Sequence, residues 1–486
     1  MELRIMLGSN ERSSGRLNAV LKRMGYAHLV LQDQPGLGWT GPLSGSGFRT
    51  HSMNSNQEFE ASLDPSIMIM NKEIGAFQAA DTQSIERRLR TAGIRAELVE
   101  GPDKNDERER PASYIRKFLV RVLHLRAVEI IPCGWAERTL RSAQEKRDQG
   151  CHSGMTTLER RLEKIAVRAL YTLGLDLGEV VISAGDAGTM VIQRVRALPD
   201  LEDESAALQF AEAIVDESVR LAQISSEPLK LGMDPEFLLY NRNEHKVIPA
   251  SRFLERAGLA GCDAVRSSGR TLYPIAELRP SPGSEPAELI RNLMGAMKYA
   301  SRQIHDTSLV WLAGGMPLPG LPLGGHLHFS GLPLTSGLLR TLDNYLALPV
   351  ALLEDERSKV RRPRYGYLGD YRHQDHGGFE YRTLPSFLLS SLLTKGIVGL
   401  AALIAEEHGH LPSRPLISED VHQAYYLGDK TILRSAFAPL EEEIRSMKGY
   451  HRYERYIHPF LETIRLGRTW DESRDIRTVW KIERTS

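Results

Sequence analysis

Four short segments each hold two chemically active side chains two positions apart. They are Asp234 and Glu236 in GMDPEFLLY, Glu277 and Arg279 in AELRPSP, His326 and His328 in GGHLHFS, and Glu380 and Arg382 in FEYRTLPSF. Residues i and i+2 of an extended strand share one face. Each segment therefore turns both polar groups to one side and its apolar neighbours to the other. Four such strands side by side build a floor of carboxylates, imidazoles and guanidinium groups, the equipment for holding divalent metal and phosphate. Hard cations such as Mg²⁺ take oxygen ligands and keep several waters, and Asp234, Glu236, Glu277 and Glu380 supply carboxylates from three strands. Such acids repel one another unless cations neutralise them. Arg279, Arg382 and the stretch RRPRYGYLGDYR, with Arg361, Arg362, Arg364 and Arg372, offset part of that charge. They also suit a two-pronged grip on phosphate or carboxylate.

The elements that must position these groups follow from the surrounding pattern. The active segments read as short alternating strands bounded by Gly and Pro. Helical periodicity is clear at 284–304, with a Ser cap, an early proline and an apolar stripe, again from Ser336 through Leu353, and in the 390s. The second half is thus α+β, with strands carrying the chemistry and helices packing behind. Upstream, Gly and Pro concentrate at 35–46 and charge at 101–111, and an acidic stretch at 199–205 precedes a helical run. The texture changes near 226, where the main boundary is expected.

Composition excludes several classes. Lys plus Arg equals Asp plus Glu at 62 each, so no bulk field favours nucleic acid or an anionic membrane. Cys133, Cys151 and Cys262 lie far apart without CxxC spacing, which argues against a disulfide framework or zinc cluster and for a reducing, cytoplasmic setting. The apolar run at 396–405 is about half the length needed to cross a bilayer. The beginning of the sequence shows no basic-then-apolar signal pattern.

At the four paired segments a resemblance becomes specific. Their order and wording resemble the glutamine synthetase and glutamate–cysteine ligase superfamily, and more closely its COOH–NH2 ligases, the amidoligases. GMDPEFLL is similar to a first metal strand, AELRP to a second, GGHLHFS to the histidine strand, and GFEYRTLPSF to a final Glu-x-Arg strand. The resemblance covers roughly 230–480, including the closing TWDESRDIRTVWKI. It implies a glutamine synthetase-like antiparallel sheet, part of a barrel with flanking helices, as a catalytic domain over 226–486. It also implies ATP-dependent amide or isopeptide formation through an acyl phosphate, with Mg²⁺ or Mn²⁺. The expected substrates are a peptide, protein or amino-acid carboxylate and an amine; a homo-oligomer is compatible with it. By position, Glu236 and Glu277 would hold the metal nearer the acceptor carboxylate. Asp234, His326 and Glu380 would hold the metal on the nucleotide side, with His328 closer to the nucleotide and His326 and Arg279 also lining its site. Arg382 would contact substrate carboxylate or phosphate, and Arg364 and Arg372 the phosphates. Asp234 departs from the glutamate of glutamine synthetases and reaches less far.

In the first half, MIMNKEIGAFQAADTQSIERRLRTAGIRAELVEGP and ERRLEKIAVRALYTLGLDLGEVVISAGDAGTMVIQRVRALPDL resemble opening and closing segments of an α/β ATP-grasp domain. Working members carry Glu, Asn and Asp metal ligands where this chain has Arg194, Arg196 and Val181. Arginines cannot ligate Mg²⁺. A degenerate ATP-grasp-like accessory domain is therefore expected at 55–225, after an N-terminal segment at 1–54, against an ordinary α/β domain. Two rivals to the ligase stay open on sequence alone. One is a non-catalytic scaffold that keeps the fold. The other is a metal hydrolase using His326 and His328, with zinc and no need of nucleotide. Each pair taken singly also fits a solvated strand face or a surface ion pair worth under about 1 kcal/mol.

Overall fold

The computed structural model describes residues 2–6, 11–31, 67–99, 116–133, 155–185, 188–201, 203–222, 227–267, 270–375 and 377–483. The chain divides into two compact units, Met1–Ile224 and Ser225–Ser486. The Gly/Pro-rich stretch at 35–46, the charged stretch at 101–111 and Cys151 lie outside the described residues.

In the first unit, β1 (Glu2–Met6) pairs in parallel with β2 (Val30–Leu31) and β3 (Ile67–Met70). Leu3 and Ile5 of β1 point into a core with Leu17 and Leu21 of the helix Glu11–Arg23 and Phe210 and Ile214 of the helix Glu204–Ala222. A second sheet is antiparallel and holds β4 (Arg116–Leu123), β5 (Arg126–Cys133), β6 (Leu177–Ala184) and β7 (Met190–Arg196), in the order β5-β4-β6-β7. The helix Thr157–Thr172 packs on it; Thr156 and Glu159 close its start as a reciprocal capping box. Between the sheets sits Asn71, fully buried, with φ 55°. Its side-chain amide donates to Leu177 O (3.2 Å) and Ala197 O (2.9 Å), and its oxygen accepts from Asp176 N (2.6 Å) and Leu177 N (3.0 Å). A short polar side chain that tolerates the left-handed region is what this junction requires.

The second unit is built on β8 (Lys230–Asn241), the long spine of a curled antiparallel sheet that forms half of a barrel. Its companions are β9 (Lys246–Ile248), β10 (Ala260–Ser267), β11 (Arg270–Leu278), β12 (Leu309–Leu312), β13 (Gly325–Ser330), β14 (Tyr371–His373) and β15 (Phe379–Tyr381). The path runs β10-β11-β8-β13-β15-β14, with β9 and β12 also on β8. One face of this sheet is apolar: Met233 and Phe237 of β8, Leu327 and Phe329 of β13, and Phe379 and Tyr381 of β15 are buried. Phe237 stacks on Trp311 at 4.6 Å and Phe329 on Phe379 at 5.1 Å. The alternation that puts these rings behind puts the paired polar residues in front.

The helices depart from expectation in detail. The helix at 286–303 starts on Pro286 with Glu285 at its cap, one residue beyond Ser284, because proline suits the first turn and Ser284 is left outside, donating its N–H to Glu288. The run from Ser336 to Leu353 is helical throughout but has a π turn at Asp343–Ala347, where Asp343 accepts from Tyr381 Oη (2.7 Å) and Gly369 N (3.1 Å). The helix Ser391–Glu407 is buried against Tyr450–Arg465, and at Gly396 an added Cβ would overlap Phe460. Among the described residues no helix is long and apolar enough to cross a membrane.

Candidate active site

Strand register assembles the polar floor. Glu277 of β11 lies opposite Glu236 of β8, Asp234 opposite His326 of β13, His328 opposite Glu380 of β15, and Glu380 opposite Arg372 of β14. A single band across five strands thus reads Glu277, Glu236 and Asp234, His326 and His328, Glu380, Arg372. Arg382 follows β15 directly, its N–H donated to Asp370 O at 2.8 Å. The four pairs are in one place.

The middle of the band is dense. His326 Nδ1 lies 3.0 Å from both Asp234 Oδ1 and Glu380 Oε1, and His328 Nε2 lies 3.1 Å from Asp234 Oδ2. Arg382 Nε is 3.0 Å from Glu380 Oε1, and Arg372 Nη1 is 3.2 Å from Glu380 Oε2. Gln374 Nε2 donates to the same carboxylate at 3.2 Å. Yet Asp234 Oδ1, His326 Nδ1, His328 Nε2, Glu380 Oε1 and Arg382 Nε are all buried atoms without an aligned hydrogen bond. Buried polar atoms are ordinarily satisfied. Carboxylate and imidazole atoms that converge without a hydrogen bond in line are the arrangement that a cation completes.

Among the described residues, Asp234, His328 and Glu380 form a group that could hold a metal ion, their donor atoms all lying within 4.8 Å of one another. His328 stands there where the sequence pointed to His326. The His326 ring instead runs back over Gly324, where an added Cβ would overlap it, and its Nδ1 faces two carboxylates. Burial alone would lower the His326 pKa, but Asp234 and Glu380 push it up to about 10. Burial opposes ionisation of Asp234 as well, and the two imidazoles outweigh it, holding the carboxyl well below its usual range. Glu380 is lowered in the same way, by His326 and Arg382 against burial.

The other end of the band behaves oppositely. Burial raises Glu236 to about 7; it raises Glu277 to about 8, with help from Asp234 and Glu236. Glu236 Oε2 accepts Gly324 N at 2.6 Å, and Ser386 Oγ donates to the Glu236 carbonyl. Arg279 pairs with Glu277 and donates to Arg256 O at 3.0 Å, its guanidinium lying where any Cβ on Gly261 would stand. Two facing carboxylates, only one of them paired with an arginine, resist ionising together, and a second cation would favour their charged forms. Asp263 on β10 is exposed and adds to the negative field on both.

The basic stretch divides. Arg372 joins the band, whereas Arg364 is exposed and lies over the Tyr365 ring at 5.4 Å. Arg361 and Arg362 are buried and committed to the protein. Arg361 holds Thr383 O (2.9 Å) and Leu384 O (3.2 Å), and Arg362 grips Glu354 with both terminal nitrogens and covers the Tyr425 ring. Arg361 fixes the backbone after β15 and Arg362 is spent on Glu354, so neither meets the acids of the band.

One residue of consequence was not singled out in the sequence, although it lies in the closing TWDESRDIRTVWKI. Glu472 is fully buried and accepts from Gly315 N (2.6 Å), Met316 N (3.0 Å), Trp470 Nε1 (3.1 Å) and Ser358 Oγ. It anchors the loop 314–324, whose last residue reaches Glu236. Only its place between Trp470 and the following polar turn distinguished it from a surface acid.

A sheet face with two buried acid clusters, two histidines and flanking arginines has donor chemistry that could take metal and phosphate. The chain belongs to the family described as phage phiEco32-like COOH.NH2 ligase-type 2, whose pattern it matches over residues 231–482. All the paired residues fall inside that span. Among solved structures the chain is similar to a bifunctional glutathione synthetase from Pasteurella multocida, at 11% identity and a TM-score of 0.34. The likeness covers 56% of this chain and 52% of that one, so it spans about half of that protein's length. No curated protein matches.

Proposed function

We propose that the second unit joins a carboxylate to an amine at the expense of ATP, through an acyl phosphate. A carboxylate oxygen of the acid attacks the terminal phosphorus of ATP and ADP leaves. The amine nitrogen then attacks the acyl carbon, phosphate leaves and the nitrogen loses a proton. The acid is a peptide, protein or amino acid, and the scattered cysteines favour a cytoplasmic setting.

Asp234, His328 and Glu380 would hold one divalent ion, and Glu236 with Glu277 a second. Carboxylates suit Mg²⁺ and Mn²⁺, and an imidazole in the set favours the latter. When bound, such ions neutralise phosphate charge and polarise the P–O bond that breaks. His326, held between Asp234 and Glu380, fixes both carboxylates where they would serve such an ion. Arg372 and Arg382, already turned to Glu380, are placed to exchange that partner for phosphate oxygens as charge moves onto them. Glu236 is kept in line by Gly324 N, and Arg279 orients Glu277. The observation that carries this reading is the set of buried carboxylate and imidazole atoms that converge without an aligned hydrogen bond.

The test is release of ADP and phosphate from Mg-ATP by the purified chain, offered pooled amino acids and peptides. Release that needs both an acid and an amine supports the ligase. Bond cleavage without nucleotide would give the hydrolase instead. Glu236→Gln keeps the acceptor for Gly324 N and loses the charge, so turnover should fall about 10²–10³-fold, in the range for loss of an essential electrostatic group, with the melting temperature of the metal-free chain held or raised. Survival of activity in that variant would sink the metal assignment.

A further inference from the structure

The first unit contains a solvent-open cavity of about 450 Å³ whose lining includes Gly93, Arg95, Arg161, Lys164, Arg168 and Gly188. Among the described residues that line it, Arg95, Arg161, Lys164 and Arg168 are cationic and none is acidic. Arg161, Lys164 and Arg168 sit at i, i+3 and i+7 of the helix Thr157–Thr172, so they form one face of it. Arg95 comes from the opposite wall, in the segment that bridges to Ile192 through Ala96. The walls are tied together by two of the cations themselves: Arg161 donates to Gly188 O at 2.6 Å, and Arg168 to Ala92 O. Gly93 and Gly188 both have positive φ, at 75° and 73°, so the rim turns sharply and closely past the side chains.

Like charges gathered on one face repel; Arg161 and Arg168 are held by backbone carbonyls, and the fold gives no such use to Arg95 and Lys164. Arg95 and Lys164 are exposed, and among the described residues neither side chain takes part in an ion pair or hydrogen bond. The guanidinium fork of Arg95 and the Lys164 ammonium match phosphate oxygens, with Arg161 and Arg168 adding positive charge, and Ile165 and Met190 offer an apolar surface beside them. The cavity is of the size that takes a small molecule. We propose that the first unit binds a small phosphate-bearing anion in this cavity, without a divalent metal. Among the described residues no carboxylate lines it, which sets it apart in chemistry from the acid-rich floor of the second unit. The inference stands whether or not the ligase reading holds.

The experiment titrates inorganic pyrophosphate into the full-length chain by calorimetry in EDTA, where no divalent ion can recruit phosphate to the acid clusters. Binding should be seen, and should weaken as salt is raised from 50 to 500 mM, roughly as screening dictates. Arg95→Gln with Lys164→Gln should weaken it at least tenfold with the melting temperature unchanged, since neither side chain holds the fold. Arg372→Gln with Arg382→Gln should leave it within twofold. Three results would overturn the proposal: no binding by the natural chain, equal binding by the Arg95 and Lys164 variant, or loss in the Arg372 and Arg382 variant instead. Tetraglutamate offered in parallel should fail to compete; if it binds and pyrophosphate does not, the site is one for acidic peptide and the phosphate assignment fails.

Discussion

At the scale of single residues, the site is a set of charges held against their own preference. Glu236 and Glu277 face each other from adjacent strands, both buried and both raised, to about 7 and about 8. An ionised carboxylate in such a place works against folding. Glu277→Gln should therefore stabilise the metal-free chain, on the order of 1–3 kcal/mol by linkage, less what the lost Arg279 contact returns. The same change should abolish the further stabilisation that Mg²⁺ or Mn²⁺ brings. Thermal unfolding with EDTA and with added metal checks both; a variant that is less stable in EDTA, or as metal-responsive as the natural chain, contradicts the reading. The i, i+2 spacing alone made these residues legible, because strand alternation is a local property. Which histidine joins the tight ligand set was not legible. His326 and His328 share a face, and only the register against Asp234 and the room left by Gly324 distinguish them.

At the scale of elements, strands and helices could be read from apolar periodicity, but their ties across long sequence distance could not. Arg361 and Arg362 look like Arg364 and Arg372 in sequence; burial against Thr383 O, Leu384 O and Glu354 makes them structural. In the first unit, Arg194 and Arg196 were legible as unfit for metal. The partner was not: Glu129, Arg121, Glu179 and Arg196 face one another across β5, β4, β6 and β7 as a row of alternating sign. Burial raises the Glu179 pKa, with Arg196 and Arg121 opposing. Glu472 shows the same limit. It lies about 150 residues along the chain from the loop it holds, Gly315 N being 157 positions away. Glu472→Ala would leave four buried donors unpaired and should cost about 2–4 kcal/mol. It should also release the loop 314–324 and with it Gly324 N from Glu236, so turnover should fall well beyond what stability explains. Hydrogen exchange of residues 314–324 in the folded chain tests this: protection as in the natural protein would show that Glu472 does not position the loop.

At the scale of the whole molecule, balanced charge conceals local imbalance. Lys plus Arg equals Asp plus Glu over the chain, yet the second unit gathers carboxylates on its sheet face and the first gathers arginines and a lysine around its cavity. Each unit also has its own core and its own buried polar hub, Asn71 in one and the acid–histidine band in the other. Perturbations should therefore sort by unit. Asn71→Ala breaks four hydrogen bonds at once, strands the N–H groups of Asp176 and Leu177, and places alanine at a positive φ. A loss of about 2–4 kcal/mol is expected. Saturating metal should add about 2.7 kcal/mol at a hundred times its dissociation constant. In calorimetry of the full chain, the substitution should lower one transition and metal should raise the other, with pyrophosphate in EDTA acting on the transition that Asn71 governs. Two ligands that move the same transition would mean that the acid floor and the basic cavity belong to one cooperative structure, and the assignment of separate anion and metal chemistry to separate units would have to be withdrawn.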